Sequence, residues 1–440
     1  MTGAAGPGPH GHPGHPGRAP GPVITTPHRP RYGGRQEPAE TGGSSGSERR
    51  TSRGGDGHRH HRGTGAGPMS AEVPEVRTYL DGGVGRIVLN RPQALNSLTH
   101  RMITALRTTL DAWAADERVR VVVLSGAGER GLCAGADIRA MHDDAKAGGA
   151  GTRAFFRDEY RLNALIARYP KPYVAVMDGI TMGGGVGLSA HGAIRIVTER
   201  STVAMPETRI GLVPDVGGSR LLAHSPGELG IHLGLTSASM GPGDALLCGF
   251  ADHYVPSARI PELLDALTRS AASTSADPTS ATTPSAVTTA SVTTAAVDAV
   301  VAAHTEPAPP AALAAQRAWI DECYAADTAE EIVERLLNSG VPEAKEAVAL
   351  LLGNSPTAVK AALAALRRAR TLPSLEAVLD QEYRVSCAAL DGHDLVEGIR
   401  AQVIDKDRNP RWEPATLAGV TEVDVARFLA PREGDELGLA

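Results

Sequence analysis

The stretch Ile180-Thr181-Met182-Gly183-Gly184-Gly185-Val186-Gly187 joins a short apolar run to a glycine cluster. A strand pattern at 173–177 precedes it, and a helical pattern follows it through about residue 191. Glycines at a helix start leave the first backbone N–H groups uncovered by side chains. Such N–H groups can stabilise an oxyanion. Close packing of the helix on the strand would use the same glycines, so the cluster alone leaves both interpretations open.

Two carboxylates, Glu207 and Asp215, follow the glycine cluster. Glu207 comes after Pro206 at the end of a predicted strand, and Asp215 lies in the mostly apolar segment 212–218. Burial raises the pKa of a carboxyl group, and two neighbouring carboxyl groups push their pKa values apart. One group can then act as a base while the other orients or donates a proton. Taken singly, either residue could equally cap a helix or carry surface charge.

A second candidate loop is Leu132-Cys133-Ala134-Gly135-Ala136-Asp137-Ile138, which also follows a strand pattern. Its backbone can supply a second N–H group to the same oxygen, although a loop that simply enters a helix is the alternative. Cys133 has no flanking histidine, so we interpret it as a small buried hydrophobic residue rather than a nucleophile.

Short strand patterns alternate with helical patterns through the first half of the ordered sequence. Strands are predicted at 86–89, 119–124, 173–177, 194–197 and 202–205. This alternation predicts an α/β fold with parallel strand pairing. Helices are then predicted at 319–326, 329–337, 342–352, 356–370 and 375–390, with Ser355 as an N-cap before Pro356.

Composition divides the chain into four segments. Residues 1–68 are rich in Gly, Pro, His and Arg and are expected to be disordered. Residues 69–269 are expected to form the catalytic core. Residues 270–312, rich in Ala, Thr, Ser and Pro, are expected to be a flexible insert, and 313–440 a helical C-terminal region. A further hypothesis places the natural start at Met69, because pattern-forming sequence begins only at Val73.

Charge and cysteine usage exclude several classes of protein. The formal net charge of −6 over 440 residues argues against a broadly basic nucleic-acid binder. We find no secretory signal and no apolar run long enough to span a bilayer, so no membrane partner is expected. The four cysteines lack zinc-ligand spacing, and neither a metal site nor disulfides are expected. Together these features predict a cytoplasmic location.

The sequence from about residue 84 to 267 resembles the crotonase (enoyl-CoA hydratase/isomerase) superfamily. The shared motifs are 89–92, 94–96, 133–138 and the Gly183 triplet. A narrower resemblance, to the 3-hydroxyisobutyryl-CoA hydrolase branch, rests on 155–160, 181–188, 205–209, 211–218, 354–357, 382–384, 392–394, 397–398 and 404–407. The C-terminal motifs are the more telling, because ordinary hydratases have a shorter, different tail. Residues 1–68 and the insert fall outside the resemblance.

The resemblance implies a fold and a set of roles. The fold is a crotonase-like spiral of β-β-α units with a helical C-terminal region. The N–H groups of Ala136 and Gly184 would form an oxyanion hole. Glu207 would be the principal catalytic carboxylate, with Asp215 as its partner, and Glu159 would line the pocket near the hydroxyl end of the substrate. The coenzyme A arm would lie along Ala94, Leu95, Ala134 and Asp137.

One departure from the hydratase pattern separates the candidate reactions. Hydratases carry a glutamate just after the glycine triplet, where this chain has Gly187. Loss of a general acid or base costs roughly 10²–10⁴ in rate. Efficient hydration is therefore not expected, and the narrower resemblance implies a thioester hydrolase that acts on 3-hydroxyisobutyryl-CoA in valine catabolism. It would need no cofactor, because coenzyme A is part of the substrate.

Two other functions remain open at this point. One is an enoyl-CoA hydratase/isomerase of the same fold, and the other is a non-catalytic acyl-CoA binder. The acyl-CoA substrate is the expected small-molecule partner, and association into a homo-oligomer is left open.

Overall fold

Two β-sheets are present in the computed structural model, which describes residues 73–273 and 292–440. The expected disordered tail 1–68, the hypothesis of a start at Met69 and part of the expected insert lie outside the described residues. The described strands are β1 Val76–Asp81, β2 Val84–Leu89, β3 Val121–Gly126, β4 Gly131–Cys133, β5 Tyr173–Met177, β6 Ile180–Met182, β7 Ile194–Val197, β8 Thr202–Ala204, β9 Ser239–Met240 and β10 His253–Tyr254.

The larger sheet has the strand order β1-β2-β3-β5-β7-β10. β1 and β2 form an antiparallel hairpin that turns at Gly82 and Gly83, and the other neighbours in this sheet run parallel. The smaller sheet has the order β4-β6-β8-β9, in which only the β8–β9 pair is antiparallel. The predicted α/β class with parallel pairing is confirmed. The strands β1, β4, β6, β9 and β10 were not predicted from the sequence.

Successive strands alternate between the two sheets. The pairs β3 and β4, β5 and β6, and β7 and β8 each send the first strand to the larger sheet and the second to the smaller one. Because β4, β6 and β8 are parallel neighbours, their carboxyl ends meet at one edge of the smaller sheet. This edge brings together the loop after Cys133, the glycine cluster after Met182 and the segment that reaches Glu207.

Helices connect these strands and form most of the chain after residue 312. The described helices are α1 His100–Ala115, α2 Ile138–Lys146, α3 Ala150–Ala167, α4 Gly184–Ser189, α5 Gly218–Ala223, α6 Leu229–Thr236, α7 Pro242–Leu247, α8 Ile260–Ser273, α9 Thr294–Ala302, α10 Arg317–Tyr324, α11 Ala329–Asn338, α12 Pro342–Gly353, α13 Pro356–Ala369, α14 Leu375–Leu390, α15 His393–Ile399 and α16 Glu422–Leu429. Ser355 caps α13 as predicted, because its hydroxyl accepts the N–H of Ala358 at 3.0 Å.

The central strands of the larger sheet are buried on both faces, whereas the edge strand β1 is largely exposed. In β3, Val122 and Leu124 lie in the main hydrophobic core, whereas Val121 and Val123 lie in a second apolar cluster on the opposite face. Successive side chains of a strand point to opposite faces, so a doubly covered strand needs an uninterrupted apolar run. The second cluster also contains buried residues of α8 and α9, which cover this face of the sheet.

The expectation of a flexible insert at 270–312 is wrong for the residues described within it. Residues 294–302 form α9, and its Val297 and Val301 are almost fully buried. These two valines lie one helical turn apart among alanines of high helix propensity, and they pack with α8 on the outer face of the sheet. The composition of the segment gave no sign of this helix, because only two of its residues, Val297 and Val301, are buried. Residues 274–291 lie outside the described part of the chain.

The C-terminal helices share the main core with the rest of the described chain. Leu366 of α13 and Tyr383 of α14 are buried in the same cluster as Leu98 and Phe156. Among residues 73–273 and 292–440, no single helix is long and apolar enough to cross a membrane. Only α12 and α13 taken together reach that length and apolar content, and they are bent by 110° where they meet.

We predict that Val301→Ala lowers the free energy of unfolding by about 1–3 kcal/mol, because it removes buried apolar surface and leaves a cavity under the larger sheet. Urea denaturation followed by circular dichroism measures the effect. Ala302→Ser, at an exposed neighbouring position, serves as the control and should leave the midpoint within error. An unchanged midpoint for Val301→Ala would show that α9 does not contribute to the core.

Candidate active site

The glycine cluster allows two carboxyl groups to approach the backbone. Gly183 has a φ of 49° and lies between β6 and α4. A Cβ atom on Gly183 would lie 3.0 Å from Oε1 of Glu207, and one on Gly184 would overlap Oε1 of Glu159. The N–H of Gly184 belongs to the first turn of α4, which has no acceptor inside the helix. The glycines therefore bring a free backbone donor close to two acidic side chains.

The backbone of Ala136 lies beside this donor. The N–H of Leu98 donates to the carbonyl of Gly135 at 2.8 Å, and the N–H of Asp137 donates to the carbonyl of Leu98 at 2.9 Å. These two bonds form a parallel bridge between Leu98 and Ala136, in which the N–H of Ala136 points away from Leu98. The loop also lies close to the glycine cluster, because a Cβ on Gly135 would lie 3.5 Å from the nitrogen of Gly184.

Glu207 and Asp215 complete the same site. Glu207 opens the 3₁₀ turn Glu207–Ile210 directly after β8, and Asp215 follows in the next loop. A cavity of about 200 Å³ is lined by Glu207, Asp215 and Glu159 together with Ala136 and Gly184. The wall also contains apolar residues such as Phe156 and Leu212. The sequence-predicted catalytic and oxyanion residues thus converge on one cavity.

Burial controls the charge of these three carboxyl groups, none of which is more than 5% exposed. Desolvation, with repulsion by Asp215, raises the pKa values of Glu207 and Glu159 well above the ordinary range. Burial also raises the pKa of Asp215, to about 6, although a hydrogen bond from Tyr160 opposes the rise. Because Glu207 and Asp215 both have raised pKa values and repel each other when both are charged, the pair shares one proton and one negative charge near neutral pH.

Two oxygens in the site are poised for a ligand. Oε1 of Glu159 and Oε2 of Glu207 are buried and have no hydrogen-bond partner among the described residues. Buried polar atoms in folded proteins are nearly always paired, so unpaired ones in a cavity indicate a place where a polar ligand binds. The site can therefore bind a carbonyl oxygen at its amides and a polar acyl group at its carboxyl groups.

Comparison with known proteins identifies the family. The family model described as Enoyl-CoA hydratase/isomerase matches residues 84–429. This chain belongs to the enoyl-CoA hydratase/isomerase family. It is 40% identical over 365 residues to "3-hydroxyisobutyryl-CoA hydrolase, mitochondrial" of Gallus gallus, covering 83% of this chain and 91% of that protein. The corresponding protein of Homo sapiens is 38% identical over 351 residues, covering 80% and 87%.

Solved structures of the family share this fold. A carnitinyl-CoA dehydratase from Mycobacterium thermoresistibile is 50% identical, with a TM-score of 0.75 over 83% of this chain and 98% of that one. An enoyl-CoA hydratase from Rhodobacter sphaeroides is 41% identical, with a TM-score of 0.73 over 83% and 99%. The predicted crotonase-like spiral with a helical C-terminal region is confirmed.

Within this family, the position of Gly187 decides whether a second glutamate can be present. A Cβ atom on Gly187 would lie 2.7 Å from Cβ of Val216 and 2.8 Å from Nδ2 of Asn163. Real Cβ atoms do not approach other heavy atoms so closely. The place from which a hydratase glutamate would extend is therefore filled by packed neighbours.

The residues expected to contact coenzyme A lie at different distances from the cavity. Ala134 lines it directly. Asp137 lines a neighbouring cavity of about 250 Å³ and pairs with Arg91 at 3.0 Å. Ala94 and Leu95 line neither cavity, although the carbonyl of Leu95 accepts the N–H of Ala134 at 3.0 Å. Leu95 thus holds the loop that carries Ala134. The contact of Ala94 and Leu95 with coenzyme A stays a prediction.

Sequence reasoning assigned no role to several residues that contact the site. Tyr160 donates its hydroxyl hydrogen to Asp215 at 2.6 Å, and Ser386 of α14 lies 2.7 Å from the same hydroxyl. Glu382 of α14 accepts hydrogen bonds from the turn after Asp215. Tyr160 and Glu382 fall within the family motifs, but nothing local in the sequence connects them to Asp215. Cys133 is buried, and burial raises its pKa to about 12, so its interpretation as a hydrophobic residue is confirmed.

We predict that activity falls below about pH 6, where Asp215 becomes protonated. Tyr160→Phe removes a donor that favours the charged form, so the acidic limb of kcat/KM should move to higher pH. The expected shift is roughly one to two units, because a hydrogen bond to a charged group contributes about 1.5–3 kcal/mol and one pKa unit corresponds to about 1.4 kcal/mol.

The measurement is a pH profile of the purified variants. Tyr169→Phe is the matched control, because the Tyr169 hydroxyl donates to the carbonyl of Leu110, away from the cavity. An acidic limb that stays in place in Tyr160→Phe would contradict the assignment of this limb to Asp215.

Proposed function

We propose that this protein hydrolyses acyl-CoA thioesters and that 3-hydroxyisobutyryl-CoA is its preferred substrate, from which it releases coenzyme A and 3-hydroxyisobutyrate. The observation that carries this proposal is that Ala136 and Gly184, whose N–H groups are the expected oxyanion donors, line one cavity with Glu207 and Asp215. The closed position at Gly187 supports hydrolysis over hydration. The names of the relatives from Gallus gallus and Homo sapiens agree with it.

The proposed reaction begins at the thioester carbonyl. Its oxygen accepts the N–H groups of Ala136 and Gly184, which stabilise the negative charge that develops on attack. Either a carboxylate oxygen of Glu207 attacks the carbonyl carbon, or Glu207 removes a proton from an attacking water. The C–S bond then breaks, and the sulfur leaves as the coenzyme A thiol. Its proton is the one that Glu207 took from water or, when the Glu207 carboxylate is the nucleophile, the one that Asp215 then holds for the pair. Asp215 orients the water or the departing group.

The two routes differ in one intermediate. Attack by Glu207 gives a mixed anhydride, which water then hydrolyses back to the free carboxylate and the hydroxy acid. Direct attack by water gives the acid in one displacement. A single turnover in ¹⁸O-water separates them, because only the anhydride route can place label in the carboxylate of Glu207.

The acyl group is suggested by Glu159. Its raised pKa favours the neutral acid, which can donate one hydrogen bond to a substrate hydroxyl and accept another. One of its oxygens is buried without a partner among the described residues, and binding such a hydroxyl would satisfy it. The small volume of the cavity and its walls at Phe156 and Leu212 favour a short branched hydroxyacyl group.

The solved relatives carry names that point to another reaction. One is called a carnitinyl-CoA dehydratase and another an enoyl-CoA hydratase. That chemistry on this site would have to proceed without a glutamate at 187, where the space is filled. A non-catalytic acyl-CoA binder is the third possibility, and the presence of both Glu207 and Asp215 in the cavity argues against it.

The wider setting of the reaction also belongs to this proposal. Release of 3-hydroxyisobutyrate would place the enzyme in valine catabolism. Coenzyme A enters as part of the substrate, and the proposed steps use only carboxyl groups and backbone amides, so no separate cofactor takes part. The cytoplasmic location stays a prediction, and the vertebrate relatives are named mitochondrial. A homo-oligomer also stays a prediction.

A panel of acyl-CoA esters tests the proposal directly. We expect thiol release to be fastest with 3-hydroxyisobutyryl-CoA, and no loss of the conjugated enoyl absorbance when crotonyl-CoA is supplied. Hydration of crotonyl-CoA faster than thiol release from any ester would assign the protein to the hydratase alternative. Tight binding of the esters with neither reaction would favour the non-catalytic binder.

Glu207→Gln should lower kcat by roughly 10²–10⁴ with a small change in KM, because the lost group acts mainly in the transition state. The amide keeps the size of the side chain, so the fold should be retained. Glu117→Gln, at an exposed position, is the control and should keep wild-type turnover. Wild-type kcat in Glu207→Gln would remove Glu207 from the mechanism.

A further inference from the structure

The turn that carries Asp215 adopts an unfavourable backbone conformation. We call residues 215–218 the Asp215 turn, which is closed by a hydrogen bond from the N–H of Gly218 to the carbonyl of Asp215 at 2.7 Å. Val216 has a φ of 53° and Gly217 a φ of 78°. Glycine takes left-handed values readily, but a β-branched valine does so only where its surroundings enforce them. The Asp215 turn therefore needs support from outside its own sequence.

Glu382 of α14 supplies that support. Its Oε2 accepts the N–H of Gly217 at 2.6 Å, and its Oε1 accepts the N–H of Ser219 at 3.0 Å together with the hydroxyl of Ser219. Glu382 is only 1% exposed. The two bonds from N–H groups hold the backbone within and just after the Asp215 turn, and the third holds the side chain of Ser219. A buried carboxyl group is costly unless it is fully hydrogen-bonded, so its presence here requires these specific contacts.

The other side of the turn is also fixed. The carbonyl of Val216 lies 2.8 Å from Nε2 of His191. Burial lowers the pKa of His191 to about 4, so the ring is neutral at pH 7 and donates from Nε2 to this carbonyl. At the end of the side chain, Tyr160 and Ser386 fix the direction of the Asp215 carboxylate. Glu382 and His191 thus both hydrogen-bond the backbone of the Asp215 turn, and Glu382 is the one that comes from the C-terminal region.

We infer that Glu382 is a positioning residue for the hydrolysis, because it holds the Asp215 turn in the left-handed conformation that directs Asp215 into the cavity. This inference rests on the proposed function, in which Asp215 orients water or the departing group. Under this inference, helix α14 contributes to the reaction through Glu382, which contacts the Asp215 turn and acts on the substrate only through Asp215.

The first test is Glu382→Gln. The amide group of glutamine places a donor against the N–H of either Gly217 or Ser219, so at least one hydrogen bond to the turn is lost. We expect kcat to fall roughly 10²-fold, as for a displacement of a catalytic group by about 1 Å, while KM changes little. A fall in kcat without a matching rise in KM distinguishes positioning from loss of the substrate pocket.

A neighbouring residue provides the matched control. Gln381 is also on α14 and is 1% exposed, but its amide donates to the carbonyl of Ala365 on α13, away from the turn. Gln381→Leu should lower thermal stability and leave kcat unchanged. Equal kcat values in Glu382→Gln and Gln381→Leu would overturn the inference.

A second test uses the strain at Val216. Glycine adopts a positive φ without steric cost, so Val216→Gly makes the turn less dependent on Glu382. We expect the fold-loss of kcat caused by Glu382→Gln to be several times smaller in the Val216→Gly background. Equal losses in both backgrounds would show that Glu382 does not act through the turn.

Amide hydrogen exchange separates failure of this inference from failure of the proposed function. The N–H groups of Gly217 and Ser219 should be protected in the wild type and in Gln381→Leu, and exposed to exchange in Glu382→Gln. A wild type that releases no thiol from any acyl-CoA ester would refute the hydrolase function, whatever the exchange pattern. An active wild type whose protection and kcat survive in Glu382→Gln would refute the positioning role alone.

Discussion

The structure depends on the close approach of two buried carboxyl groups to a stretch of backbone that has no side chains. Oε1 of Glu159 occupies the space that a Cβ on Gly184 would need, and Oε1 of Glu207 lies next to Gly183. In a cavity from which water is largely excluded, electrostatic interactions with a developing oxyanion are stronger than in water. The same exclusion raises the pKa values of these carboxyl groups and keeps a proton available where the thiol must leave.

One short turn determines both what the site contains and what it lacks. The Asp215 turn supplies the second carboxylate of the proposed hydrolysis. Val216, the second residue of this turn, packs so closely against Gly187 that no side chain fits at position 187 without a shift of its neighbours. A single backbone conformation therefore provides the hydrolytic partner and excludes the group that hydration would need.

The C-terminal helices belong to the site as well as to the core. Glu382 and Ser386 of α14 meet the Asp215 turn and Tyr160, and Gln402, from the π-helical segment Arg400–Ile404, lines the cavity itself. Single-turn π-helical distortions are often found at functional sites. The helical region therefore contacts the Asp215 turn and forms part of the cavity wall, while the proposed catalytic groups follow strand β8 of the smaller sheet.

The roles expected for Glu207, Asp215, Ala136 and Gly184 came from the family resemblance. The sequence by itself determined the elements with strong local signals, namely the buried strands, the capped C-terminal helices and the glycine cluster. Local pattern suffices for these because periodicity, caps and glycine conformation are properties of neighbouring residues. It missed α9, whose two valines are recognisable only against the sheet they cover, and it gave no role to Tyr160 or Glu382. Tertiary structure alone decided these contacts, because they join residues separated by up to 226 positions, and a hydrogen bond between distant residues leaves no mark on local sequence.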